Sequence, residues 1–245
     1  MNIFARLRER IGAAIGAVIG SVVLLGCGLV FTLFLSPQQK LEATRIDRMP
    51  EMDANAVAAT ASGEDVLFTG RLEGNSVLFG DFVTYVLDEW QVTMPDYDSD
   101  EPNPEPDGDW NIVERVVPDL SINVDGQIVR TLSTNDAYQN GPLHEVIDES
   151  ISFEEADYIG RSLGDGSLRY RGFYNGDLVT VWGKKAASEG VIPDELYAGD
   201  RVAFSESKHK AATGLLIGGI CMMALSPVVL VGGLLAAIFG RRKRI

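Results

Sequence analysis

Four short stretches carry residue types at spacings that chemistry uses. Gly160-Arg-Ser162-Leu-Gly164 has the order of a hydrolase nucleophile elbow, where a serine on a strand-to-helix turn attacks an acyl carbon. That mechanism also needs an acid and then a histidine later in the chain, and the only later histidine is His209, at the edge of an apolar run. Asp96, Asp98 and Asp100 have the i, i+2, i+4 spacing that opens a calcium loop. Glu101 stands where the turn glycine belongs, Pro102 and Pro104 stiffen the segment, and Asp107 stands where a bidentate Glu is needed. These three aspartates are therefore weak cation candidates within an exposed acidic, Pro-rich loop over residues 96–109. Leu24-Leu25-Gly26-Cys27 resembles a lipid-attachment site, but the apolar run continues past the cysteine to Leu35. An uncleaved helix fits better than a processed lipoprotein, with the small Cys27 helping helix packing.

The remaining chemistry is sparse. His144 is the only histidine in the central region, and with no second His and no Cys beside it makes no transition-metal site. Arg169-Tyr-Arg-Gly-Phe-Tyr174 interleaves arginine with aromatics as single-strand nucleic-acid surfaces do, but reads more simply as a strand with alternating faces. No catalytic, cofactor-binding or metal site is assigned, and no cofactor is implied.

The elements that would position these residues begin with two apolar runs. Ile11 to Leu35 and Ala211 to Gly240 carry no charge; as helices they reach roughly 37 and 45 Å against a hydrocarbon core of roughly 30 Å. Both read as transmembrane helices, with tilt or a kink expected at Ser226-Pro227. Arg6, Arg8 and Arg10 precede the first, and Arg241-Arg242-Lys243-Arg244 follow the second. By the positive-inside rule the tails 1–10 and 241–245 are cytoplasmic, in a plasma membrane, and the centre lies outside. Gly12, Gly16 and Gly20 share one helix face, Gly214 and Gly218 another, and Gly232, Ala236 and Gly240 repeat the spacing. Such small-residue faces predict packing of the two spans, a homo-oligomer, or a membrane-protein partner.

Between the tails there are 14 basic and 34 acidic residues, a net charge of −20, which excludes phosphate-backbone binding and so nucleic acid. With 15 Arg against six Lys in the chain, the acidic surface suits a halophilic source. The only cysteines, Cys27 and Cys221, lie in the apolar runs, so no disulfide braces the centre.

Residues 36–63 read as a juxtamembrane helix or linker. From 64 to 207 short β-type runs follow: VLFTGRL, SVLFGDFVTYVLDEWQVTM, WNIVERVVP, LSINVDGQIVRTL, SLRYRGFY, GDLVTVWGK and DRVAF. Asp125-Gly126 and Asn175-Gly176 predict two hairpins. Ser152-Phe-Glu-Glu155 reads as a capping box for one helix, Glu155 to Leu163, ended by Gly164, which leaves Ser162 at a helix end. The fold class is mainly β: a small curled sheet or partly open barrel between two transmembrane helices.

The order of these pieces, VLFTGRL, VTYVLDEW, WNIVERVVPDLSINVDGQIVR, LVTVWGK and ELYAGDRVAF between two spans, resembles the GIDE-type domain of mitochondrial membrane-anchored ubiquitin ligases. The likeness rests on Val66 to Gly70, Tyr85, Pro118 to Val129 and Val179 to Gly183. In that family a catalytic RING follows the second span; this sequence has only Arg-Arg-Lys-Arg-Ile there, so the resemblance implies the β domain and its topology without ligase activity. The reading is a non-enzymatic binding or scaffold module, against an envelope hydrolase built on Ser162 or an accessory subunit of a transport or assembly complex.

Overall fold

The computed structural model describes residues 3–94 and 105–239; Asp96, Asp98, Asp100, Gly240 and the terminal basic run lie outside them. The chain divides into a helical unit, formed by the stretches before Met49 and after Phe204, and a β unit, Met49–Phe204.

In the helical unit, α1 (Ile3–Val30) passes through a π-helical turn, Phe31–Leu35, into α2 (Ser36–Arg48). Pro37 lacks the N–H that would bond back to the Leu33 carbonyl, and just before it the Ser36 N–H closes the wider turn on the Phe31 carbonyl. The apolar run therefore does not end the helix, which continues over the stretch expected as helix or linker. The other helix, α4, spans Arg201–Phe239 with Pro227 inside it. Both helices are long and apolar enough to cross a membrane. Most of their Val, Leu and Ile side chains are exposed, a surface suited to hydrocarbon rather than water. DRVAF, expected as a strand, belongs to α4: Asp200 caps it by accepting from the Ala203 N–H at 2.8 Å. About three turns of helix thus precede the apolar run predicted from residue 211.

The β unit starts earlier than residue 64. Asp53 accepts from the Ala56 N–H and opens α3 (Ala54–Ala59), whose Ala54 and Val57 are buried in the main core. Three strands, β1 (Asp65–Leu72), β4 (Leu120–Val124) and β5 (Gln127–Thr131), pair antiparallel in that order. A fourth, β11 (Leu178–Lys185), returns to the free side of β1, a Greek key. The ring then closes through β12 (Val191–Ala198), antiparallel to β11 and parallel to β5. The result is a five-stranded barrel filled by Val66, Phe68, Leu72, Leu120, Ile122, Val179, Val181 and Leu196. The short β6 (Tyr138–Asn140) adds to β12 in parallel.

A second, antiparallel sheet interrupts the barrel connections, in the order β3 (Asp107–Val116), β2 (Phe82–Thr93), β10 (Leu168–Tyr174), β7 (His144–Asp148). Pairing slips between Leu87 and Asp88, so that Val113 is an extra residue in edge strand β3. The bulge leaves Ile112 and Val113 both exposed and spoils the edge as a template for further strands.

Of three expected elements, one forms and two differ. Asp125-Gly126 closes the β4–β5 hairpin with positive φ at both positions, as expected. Asn175-Gly176 makes a turn but no hairpin: only Gly176 has positive φ, and the turn passes the chain from β10 in one sheet to β11 in the other. Residues 155–163 form no helix. They are a hairpin, β8 (Glu155–Tyr158) and β9 (Arg161–Gly164), with Ile159 and Gly160 at φ 53° and 80°. Ala156 and Leu163 pair across it and bury together against Trp90. Ser152 accepts from the Glu154 N–H in a local turn rather than capping a helix.

Candidate functional site

The helices of the first unit meet antiparallel. Ser21 and Ser226 share a hydrogen bond of 2.9 Å between buried hydroxyls, and Ser226 Oγ also donates to the Ser21 carbonyl. Further along, Ser36 Oγ donates to the Ala212 carbonyl, Lys208 pairs with Glu42 at 2.7 Å, and Asp47 accepts from both Ser205 and His209. From Ser21–Ser226 to Asp47–Ser205 the partner number on α4 falls as the number on the facing helix rises. The backbones come close at Gly28 and Gly219: a Cβ on Gly28 would lie 2.7 Å from the Gly219 carbonyl oxygen, and one on Gly219 would lie 2.9 Å from that of Gly28. Ala17 and Gly233 make the second contact.

The glycines singled out by spacing sit elsewhere. A Cβ on Gly12, Gly16, Gly214 or Gly218 would meet nothing within 4 Å, and one on Gly20 would reach only Val229 at 3.9 Å. Cys27 and Cys221 are exposed, so the packing role expected of Cys27 falls to its neighbour Gly28.

In the β unit the densest polar constellation is centred on Asp88 of β2. Register sets Asp88 opposite Arg169 of β10, and Arg171, two residues on, shares that face. Arg169 Nε and Arg171 Nε both donate to Asp88 Oδ2, at 2.9 and 2.7 Å, and Arg171 Nη2 donates to Oδ1 at 3.2 Å. The Asp88 side chain is 1% exposed and that of Arg169 12%. Arg169 also lies 4.4 Å from the centre of the Trp110 ring and donates to the Tyr158 hydroxyl. Tyr158 meets both Trp90 and Trp110 edge to face at 5.5 Å, and the two indoles are tilted against each other at 5.0 Å. The indole N–H groups of Trp90 and Trp110 are buried without a hydrogen-bond partner. The arginine–aromatic interleaving of residues 169–174 thus serves a buried ion cluster. Its partner Asp88 lies 81 residues away, which no local pattern reveals.

Ser162 is exposed on β9 and donates to Glu155 Oε2 at 2.6 Å across the hairpin. Since it sits within a strand, the strand-to-helix elbow is not formed. His144 lies on β7, its ring stacked on Tyr174 at 4.0 Å and Nε2 3.1 Å from Asp177 Oδ1. Burial, helped by Asp81 and Asp177, pushes the pKa of Tyr174 above that of an ordinary tyrosine; burial with Glu114 and Tyr170 does the same to Tyr85. An open groove of about 750 Å³ lies on the barrel between α3 and the β4–β5 turn, lined among others by Glu51, Arg71, Glu73, Asn123 and Asp125. Its polar groups bond to one another: Arg71 donates to the Gly176 carbonyl and Asn123 to Glu73. Among the described residues no three His, Cys, Asp or Glu side chains gather as a metal site.

No protein-family model, curated protein or solved structure matches this chain. What is established is therefore architectural: two candidate membrane-spanning helices flank a mainly β unit built on a closed five-stranded barrel.

Proposed function

We propose that this is a plasma-membrane protein with both termini in the cytoplasm, displaying its acidic barrel outside as a non-enzymatic binding or scaffold module of the GIDE type, without ligase activity. The observation that carries the reading is the antiparallel pairing of the helices through Ser21–Ser226 and Gly28–Gly219. A hairpin returns the chain to the side it left, so Arg6, Arg8 and Arg10 and the basic run 241–244 share one side, which the positive-inside rule makes the cytoplasm. The scaffold reading draws on how the polar groups are used: Asp88 is taken up by two arginines and Ser162 by Glu155. The acidic, Lys-poor composition fits a surface that stays hydrated at high salt.

Topology is tested with single cysteines in a Cys27→Ala, Cys221→Ala background. Ser76→Cys, on an exposed loop, should react with a membrane-impermeant maleimide on intact cells, whereas Asn2→Cys should react only after permeabilisation. The opposite pattern would invert the protein and remove the barrel from the outside. The salt reading is tested by the barrel's melting point, which should rise from 0.1 to 2 M KCl.

A further inference from the structure

The sequence contains two Asn-Gly pairs, Asn140-Gly141 and Asn175-Gly176. This dipeptide is where a backbone nitrogen can most readily attack a side-chain amide, because glycine puts no side chain in the way. The fold treats the two pairs differently. Asn175 is clamped by both ends of its amide: Oδ1 accepts from the Asn75 N–H at 3.1 Å, and Nδ2 donates to the Asn75 carbonyl at 2.8 Å. The Gly176 N–H is engaged as well, donating to the Leu72 carbonyl at 2.7 Å. Asn140 is exposed, and the Gly141 N–H points at Asn140's own Oδ1, 2.8 Å away. The nucleophile at residue 141 is therefore already in contact with the amide group whose carbon it would attack.

We infer that Asn140 is a site of spontaneous deamidation in the folded protein, and that Asn175 is protected. Hydroxide removes the Gly141 amide proton, the nitrogen attacks Asn140 Cγ, and the bond from Cγ to the side-chain nitrogen breaks, releasing ammonia. The five-membered succinimide then takes up one water. Opening at the former side-chain carbonyl gives aspartate; opening at the residue 140 backbone carbonyl gives isoaspartate. The net change is one water consumed and one ammonia released, with no oxidation or reduction.

The position makes the change consequential. Asn140 ends β6, a three-residue strand that pairs in parallel with β12, Asn140 opposite Tyr197. Its Nδ2 donates to Glu195 Oε1 at 3.5 Å, and Glu195 is 4% exposed. Deamidation replaces that donor with a carboxylate facing a buried carboxylate, and the isoaspartate form also inserts a methylene into the strand's main chain. β6 has little to resist this, since both amide atoms of Gln139 are buried without partners. The product should lose its β6 pairing to the barrel.

The test is peptide mass spectrometry on the full-length protein in detergent, held at pH 8.5 and 37 °C and sampled over weeks. The peptide containing Asn140 should gain 1 Da and split into aspartate and isoaspartate forms. It should do so at least about tenfold faster than the Asn175 peptide, because three hydrogen bonds must open to free Asn175 and Gly176. In guanidinium the two sites should react at similar rates, which ties the difference to the fold. A native Asn140 that stays intact while the guanidinium control reacts, or an Asn175 that reacts as fast in the native protein, overturns the inference. Amide hydrogen exchange of Asn140→Asp should show faster exchange confined to residues 138–140 and their β12 partners; unchanged protection there would remove the structural consequence.

Discussion

Asp88 lies directly opposite Arg169 across the β2–β10 pair, with its carboxylate buried and Arg169 stacked on Trp110. Burying this carboxylate is tolerable only because two guanidinium groups replace its water, so removing the acid leaves the mostly buried Arg169 with only the longer Glu145 contact, at 3.9 Å. Asp88→Ala should cost about 3 kcal/mol in urea unfolding, in the range for breaking a buried ion pair. Arg171→Ala, whose side chain is 32% exposed, should cost less, about 1 kcal/mol. If Asp88→Ala proves as mild as Arg171→Ala, the cluster does not organise the second sheet.

The helix contacts make a paired prediction. Gly28→Leu puts a side chain where the Gly219 carbonyl and Met223 already sit, and should destabilise the helical hairpin by about 1–3 kcal/mol, as overpacking does. A Cβ on Gly16 meets nothing within 4 Å, so Gly16→Leu should leave intramolecular stability unchanged. Detergent unfolding followed by tryptophan-independent probes, such as dyes attached at the helix ends, separates the two. Equal effects would mean that the spaced glycines, rather than Gly28, hold the pair together.

Ile159 is β-branched, 85% exposed and held at φ 53°, a conformation that costs most residues roughly 1–2 kcal/mol. Ile159→Asn gives up almost no packing and relieves that strain, so thermal stability should rise by about 1 kcal/mol. A loss instead would point to a contact for Ile159 outside this chain.

Tyr85 and Tyr174 both hold their protons more tightly in the folded protein than an ordinary tyrosine. A proton bound more tightly in the native state stabilises it fully below the unfolded tyrosine value, near 10, and that contribution fades as pH rises through the folded value. Unfolding free energy should therefore stay level to about pH 9 and then fall. In Tyr85→Phe combined with Tyr174→Phe the alkaline fall should be shallower. A double variant with the same alkaline slope would assign the loss to other groups.

The limits of the sequence follow from range and ambiguity. Asp125-Gly126 is a local signal with one solution, and it marks its hairpin. Asn175-Gly176 is as strong a turn signal, but whether the strands beside it pair depends on β1 and β2, some 90 to 110 residues upstream. Ala156 and Leu163 suit either a helix face or opposed hairpin positions, and burial against Trp90 decides for the hairpin. Pro193 hid β12, because proline within a run argues against a strand; it sits at the register slip opposite Gly183, where ladder pairing is already irregular. The two spans were legible throughout, since a long uncharged run has few other uses. Their true contact was not, because Leu24 separates Gly28 from the Gly12, Gly16, Gly20 series and Gly219 stands beside the Gly214–Gly218 pair rather than in it.

The β unit is held shut where it begins and ends: Arg201 Nη2 donates to the Met49 carbonyl at 2.6 Å. In the helical unit Asp47 and Ser205 are likewise bonded to each other. The 156 residues from Met49 to Phe204 are thus, in connectivity, a cassette inserted at the bend of a helical hairpin. Such a cassette can be exchanged as a block: joining Arg48 to Ser205 through a short turn would leave the membrane hairpin's own contacts in place, and a different domain could be carried on the same stem.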